Sequence, residues 1–220
     1  MNIGLGRTKC QLIEHTCAII LLMARKYEQR RRAEKQEETR QRIIDAAVEL
    51  HGTLGPARTS MSAVADKAGV QRNTLYRHFP DERSLLHACS AHFAAEHPVP
   101  RTDGWEGITD PLDRARRGLR ELYAYWEVNE EMTTNVLRDV ELHPTVREVN
   151  ERHWGQPLTR IRETLLEAWP VRPNKRLAAA VDLATSFRTW QSLVRYSGLT
   201  SRTAANLMAE TIACAARGDR

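Results

Sequence analysis

The stretch from Met61 to Phe79 constrains this 220-residue chain more than any other, because it reads as two short helices joined by a glycine. Met61, Val64, Ala65 and Ala68 recur at helical spacing on one face. Gly69 can take the positive φ of a tight turn, and Val70, Leu75 and Phe79 supply the apolar side of a second helix. The pattern is that of a helix-turn-helix. Its second helix turns outward Gln71, Arg72, Asn73, Thr74, Tyr76, Arg77 and His78. That set is rich in groups that bond phosphates and base edges, and it contains no carboxylate. Such a face suits the major groove of DNA; an ordinary surface hairpin is the other reading that the short motif alone leaves open.

The flanks favour DNA. Upstream, Ile43, Ile44, Ala46, Ala47 and Leu50 form an amphipathic helix, and downstream Pro80-Asp81 ends the second helix and caps another. Three helices in this order resemble the TetR family of transcriptional regulators. The resemblance rests on Arg42-Ile-Ile-Asp-Ala-Ala47, Gly55, Ser60, Val64-Ala65, Ala68-Gly-Val70, Leu75-Tyr76, Phe79 and Leu85-Leu86. Two departures stand out. Gln71 is a weaker cap than the small residue usual after Gly-Val, and Glu82-Arg83 replaces the family's lysine followed by an acid, so no phosphate contact is assigned to Glu82.

The resemblance implies an all-α chain with a three-helix DNA-binding domain at 36–82 and a helical ligand-binding and dimerisation domain at 83–220. Residues 1–35 are expected to be a leader and basic arm without fixed structure. It also implies Ser60, Gln71, Arg72, Asn73, Thr74, Tyr76, Arg77 and His78 as the DNA-contacting set. Arg72 is the first choice for a base edge and Asn73 the second, since Arg forks onto guanine and Asn onto adenine. Gln71, Thr74, Tyr76 and His78 match positions that hold phosphates in the family.

Charge agrees with this division. Residues 1–100 hold 15 Lys/Arg against 11 Asp/Glu, and residues 101–220 hold 18 against 17, so the basic excess lies at the DNA-reading end. Arg25, Lys26, Arg30, Arg31, Arg32, Lys35, Arg40 and Arg42 make a basic arm diluted by four glutamates, which is either a solvated helix or a phosphate-following segment. Cys10, Cys17, Cys89 and Cys214 show no paired spacing, which argues against a zinc site or a disulfide framework and for a reducing cytoplasm. His87, His92 and His97 recur every five residues and so do not share a helix face; no metal site or cofactor is expected. The apolar run at 16–24 is too short to span a bilayer and precedes a basic arm instead of a cleavage site. A start of translation at Met23, leaving 1–22 outside the native protein, explains it more simply.

Beyond the DNA-binding unit the pattern stays helical, with a loop over 98–110. Further helices are expected at 110–128, 130–142 and 145–168, the last broken near Gly155-Gln-Pro157, and then at 175–196 and 201–217. The last two carry more apolar surface than one core contact uses: Leu183, Phe187, Trp190 and Val194 with Leu177, Val181 and Ala184, then Ala204, Leu207, Met208, Ile212 and Ala215. The resemblance implies that this hairpin, 175–217, pairs with a second copy. It also implies a small-molecule pocket among the middle helices. Its candidate wall is Tyr123, Trp126, Met132, Val136, Trp154, Phe187, Arg188 and Trp190, with Arg138, Glu141 and His143 as further polar anchors.

The chain holds no His-Glu-x-x-His, no Gly-rich phosphate loop and no Gly-x-Ser-x-Gly, so an enzyme is not expected. The expected function is a homodimeric repressor of a palindromic operator, released by a small-molecule effector. A ligand-independent or partner-controlled DNA-binding regulator, an activator included, is the alternative. A sealed core would favour that alternative, and a cavity of about 300 Å³ or more would favour a ligand sensor.

Overall fold

The computed structural model describes residues 5–170 and 174–217, with side chains from Met23 onward apart from Ala24. Every regular element among them is helical. The chain divides into two compact units, Met1–Ile43 and Ile44–Arg220.

The first unit is the N-terminal part of α1 (Leu5–Thr53), and the basic arm expected to lack structure is helical from Met23 on. Its exposed side chains form helix-compatible ion pairs, Arg30 with Glu34, Arg32 with Glu28 and Arg40 with Glu37, which offset the absence of an apolar stripe. The apolar run and the question of residues 1–22 fall outside the described side chains.

The second unit opens with the end of α1 and a short 3₁₀ turn, Pro56–Arg58. Then α2 (Met61–Lys67) starts where the Ser60 hydroxyl accepts from the Ala63 N–H at 3.1 Å. Gly69 stops it: with φ +64° it lets its own N–H reach the Asp66 carbonyl and the Val70 N–H reach that of Ala65. These two bonds make a Schellman ending. After it, α3 (Arg72–His78) begins at an extended Gln71 whose side chain makes no capping bond, as its weak cap chemistry predicts. Phe79 closes α3 in extended conformation, and Asp81 opens α4 (Glu82–Glu96) with a capping box to Ser84. Ile44, Ala47, Val64, Ala65, Leu75, Phe79, Leu85 and Leu86 are all buried and form the head around which these helices pack.

The body follows: α5 (Pro111–Val128), α6 (Glu130–Val140), α7 (Pro144–Asn150), α8 (Gln156–Glu167), α9 (Lys175–Ala184), α10 (Phe187–Gln191) and α11 (Ser201–Arg217). α11 packs along α5 and α9, enclosing Leu119, Leu122, Leu177, Val181, Trp190 and Ile212. The break expected near Gly155 is a π-helical turn, Glu151–Gly155. The single helix expected over 175–196 is divided at Thr185-Ser186: the Thr185 hydroxyl bonds back to the Val181 carbonyl, ending α9, and α10 restarts at Ser186. The 98–110 loop holds a core residue, Trp105, whose ring lies against Gly118 of α5 where a Cβ would come within 3.1 Å. Its indole N–H donates to Glu121 at 2.9 Å.

Candidate nucleic-acid interface and ligand cavity

On α3, Gln71, Arg72, Asn73, Tyr76 and Arg77 are exposed, while Thr74 and His78 are half-buried beside the core. The division follows the helical period, since Leu75 must point inward. Ser60 stands exposed at the start of α2 with its hydroxyl already engaged in capping. The eight residues thus fall on α3 and the cap of α2, around a surface with two guanidinium groups and no acid. Arg83, the residue left open as a replacement phosphate contact, pairs instead with Glu148 of α7 and holds that carboxyl below the usual carboxylate range.

The head meets the body through α6. The buried Asp139 carboxylate accepts from the Ala57 N–H at 2.9 Å and pairs with Arg138 Nε at 2.7 Å. Arg138 also donates to the Leu54 carbonyl at 2.9 Å, and the Asn135 amide donates to that of Gly52. Burial would raise the Asp139 pKa, but bonds from Arg138 and Ala57 and the charges of Arg138 and Arg58 outweigh it and lower it. The turn so gripped depends on Gly55, at φ +96°, where a Cβ would lie 2.0 Å from Arg138 and 2.6 Å from Asp139. Behind it, His51 Nδ1 lies 3.3 Å from Cys89 Sγ. Burial pushes the imidazole down to about 4 and the thiol up to about 12.

The opposite side of α6 lines a cavity of about 380 Å³. Trp126, Met132, Val136, Trp154, Phe187 and Arg188 of the expected wall border it, and so does Glu141. Tyr123 and Trp190 do not: both are buried in the core, with the Tyr123 hydroxyl donating to the Ala184 carbonyl at 3.0 Å and the Trp190 N–H to Ser201 at 3.1 Å. Arg138 serves the α6 clamp instead, and His143 lies 3.9 Å from Glu82. Sequence reasoning missed Phe93 of α4, Tyr125, Leu137, Val140, Asn150, Leu158 and the hydroxyl residues Thr133, Thr185 and Ser186. The polar ones carried no pattern that set them apart from surface residues. Tyr125 was overlooked for Tyr123, two places away. On the far hairpin, Leu183 is 53% and Leu207 44% exposed although each belongs to an apolar stripe.

Residues 43–89 match the family model described as bacterial regulatory proteins of the tetR family. That segment places the head of the chain among TetR-type DNA-binding units. The chain is 35% identical over 96 residues to the HTH-type transcriptional regulator TtgR of Pseudomonas putida, covering 43% of this chain and 45% of that one. To the tetracycline repressor class A of transposon 1721 from Escherichia coli it is 34% identical over 87 residues, 38% of this chain and 39% of the relative. The aligned part thus spans less than half the length of these relatives. In fold, the hemolysin II regulator HlyIIR superposes with a TM-score of 0.58 at 14% identity, over 81% of this chain and 97% of the other. These relatives carry names of transcriptional regulators and repressors. No helix among the described residues is long and apolar enough to cross a membrane.

Proposed function

We propose that this chain is a cytoplasmic, homodimeric transcriptional repressor that binds a palindromic operator through α3 of each copy and releases it when a small molecule fills the cavity. The observation that carries the reading is α3 itself: a solvent-facing helix presenting Arg72, Asn73 and Arg77 with no carboxylate among them. Arg72 and Asn73 take base edges, and Gln71, Thr74, Tyr76 and His78 take phosphates. One such helix reads only a few base pairs, so two must be held about 34 Å apart to read both half-sites. The hairpin of α9–α11 is suited to hold them, with Leu183 and Leu207 as exposed apolar contacts for a second copy. Relatives named as repressors favour repression over activation.

The cavity exceeds the volume that separates a sealed core from a ligand site, which supports a sensor over a ligand-independent regulator. Release follows from what borders it. Phe93 belongs to α4, directly after the reading head, and Met132 and Val136 belong to α6, whose other edge grips the Gly52–Ala57 turn. A ligand that displaces either helix moves the heads relative to the body.

The test is mobility shift and footprinting of the full chain on its own upstream intergenic DNA across a salt series, with the mass measured by light scattering. A protected palindrome, a steep salt dependence and a mass of two chains are expected. Equal, weak binding to unrelated DNA, or a mass of one chain, would overturn the reading.

A further inference from the structure

We infer that the effector is an uncharged aromatic molecule carrying a hydrogen-bond acceptor that meets the hydroxyl of Tyr125. The inference rests on reading the cavity as the effector site and adds the chemistry of what it takes.

The first ground is the arrangement of rings. Trp126 and Phe187 meet nearly edge to face, at 82° with centroids 6.0 Å apart, and Phe93 and Trp154 lie tilted at 6.2 Å. All four border the cavity and offer it faces and edges at mixed angles. A flat π-system gains from both contacts, by offset stacking on one ring and an edge contact on another, beyond the area it buries. An aliphatic chain of equal volume gains only the area.

The second ground is Tyr125. Its oxygen accepts from the Trp154 indole N–H at 2.9 Å, which fixes the ring pair and occupies the acceptor side of the hydroxyl. The hydroxyl proton has no acceptor among the described residues. Burial raises the pKa of this phenol, so the group stays a neutral donor at physiological pH. A half-buried phenol donor on the wall of an apolar space offers a carbonyl or ether oxygen on the ligand a directed partner.

The third ground is charge. Glu141 and Arg188 border the space, have opposite signs and are both exposed. The aromatic part of the wall holds no ionised group, so a charged ligand would leave water for a place with no countercharge. The ligand that fits is neutral where the rings are.

Four probes of similar size decide the matter by calorimetric titration of the full chain: 2-acetylnaphthalene, 2-isopropylnaphthalene, 2-naphthoate and 2-naphthyltrimethylammonium. The acetyl and isopropyl groups have nearly the same shape, and only the first accepts a hydrogen bond. The acetyl probe is expected to bind about tenfold tighter than the isopropyl probe, the worth of one hydrogen bond, and tighter than either ion. In Tyr125→Phe the ratio should fall toward one, while unchanged isopropyl binding certifies an intact cavity. Equal affinities in the unmodified protein, a ratio that survives Tyr125→Phe, an ion that binds best, or no binding by any probe would each overturn the inference. If the variant does not fold, the ratio in the unmodified protein decides alone. A separate readout keeps the two readings apart: an acetyl probe that binds as expected but leaves the operator complex intact refutes the cavity as an effector site and leaves its chemistry standing.

Discussion

The head of this molecule, residues 43–89, is matched by a family model, while over most of the chain the likeness to solved structures is one of fold at 14% identity. The two regions answer different physical demands. In the head, the signals are local and exacting: Ser60 caps, Gly69 turns, Asp81 caps again, and Leu75 and Phe79 face one small core. Each position admits few residue types, so a shared structure leaves a shared sequence. In the body, helices of like length enclose a wall of aromatic and aliphatic groups that many sequences could supply. Where the two regions meet, three polar side chains of α6 grip the Gly52–Ala57 turn while α4 packs on α7 with Arg83 paired to Glu148, and there the tolerance of the body ends.

The strongest way to break this contrast is at Gly55. In Gly55→Val the added atoms would collide with Arg138 and Asp139, at a φ of +96° that favours glycine. Losing the grip also leaves the buried Asp139 carboxylate poorly compensated, so a cost of about 3–5 kcal/mol is expected. A shift of the urea midpoint equivalent to less than about 1 kcal/mol would show that the joint is not where head and body are locked.

The next effect is set by pH at the same joint. His51 has its pKa lowered to about 4, because burial disfavours the imidazolium more than Asp139 favours it. The unfolded chain takes up a proton near pH 6.5 that the folded chain refuses until about pH 4. Stability from this group is therefore whole above pH 6.5 and falls as pH drops through that window, by about 3 kcal/mol at its lower end. Urea midpoints at pH 7 and pH 5 check this; His51→Gln should flatten the difference between them, and an unchanged slope would remove His51 from the account.

These two sites also mark how far the sequence could be read. Gly69 and the helix-turn-helix were visible because positive-φ turns and caps demand particular residues, whereas Gly55 stood out only as part of the family resemblance. The α6 clamp was not visible, because Asn135, Arg138 and Asp139 look like any polar helix edge until Ala57 and Leu54 are brought against them across more than 80 residues. The cavity wall was half legible for a related reason. Tyr123 and Tyr125 stand about 200° apart on α5, and periodicity shows that both sides are apolar without showing which faces packed core and which faces open space. Trp105 lay in a segment whose Pro, Gly and Asp content marks a loop, and composition is silent on a loop that folds its one large side chain inward. Thr185 gave no warning of the break after α9, since its hydroxyl could as well have faced solvent in an unbroken helix.

A third prediction sharpens the head alone. Arg72→Ala is expected to weaken operator binding by about 1–3 kcal/mol and to relax preference at one base position, with body stability unchanged because Arg72 is exposed and packs on no core. Selection from a randomised operator library reads the preference directly. An unaltered preference would move Arg72 from base contacts to phosphate contacts.

The smallest effect is expected at Gly69, and it is discriminating because Gly69 shares a positive φ with Gly55, although Gly55, at φ 96° and ψ 153°, lies in a region stricter for glycine. Both are glycines with positive φ, both end a helix, and both stand in the head. They differ in surroundings: a Cβ at Gly69 meets nothing within 4 Å, whereas one at Gly55 meets the clamp. Gly69→Ala therefore bears only the intrinsic strain of a left-handed residue, about 1–2 kcal/mol, with the Schellman bonds and the position of α3 preserved. Operator affinity should change little at temperatures where the head stays folded. If Gly69→Ala proved as damaging as Gly55→Val, the cost of both would lie in backbone conformation and the clamp would contribute little. If it is several times milder, the excess at Gly55 combines its stricter backbone region with the clash against the α6 clamp, and Gly55→Ala beside Gly55→Val separates the two.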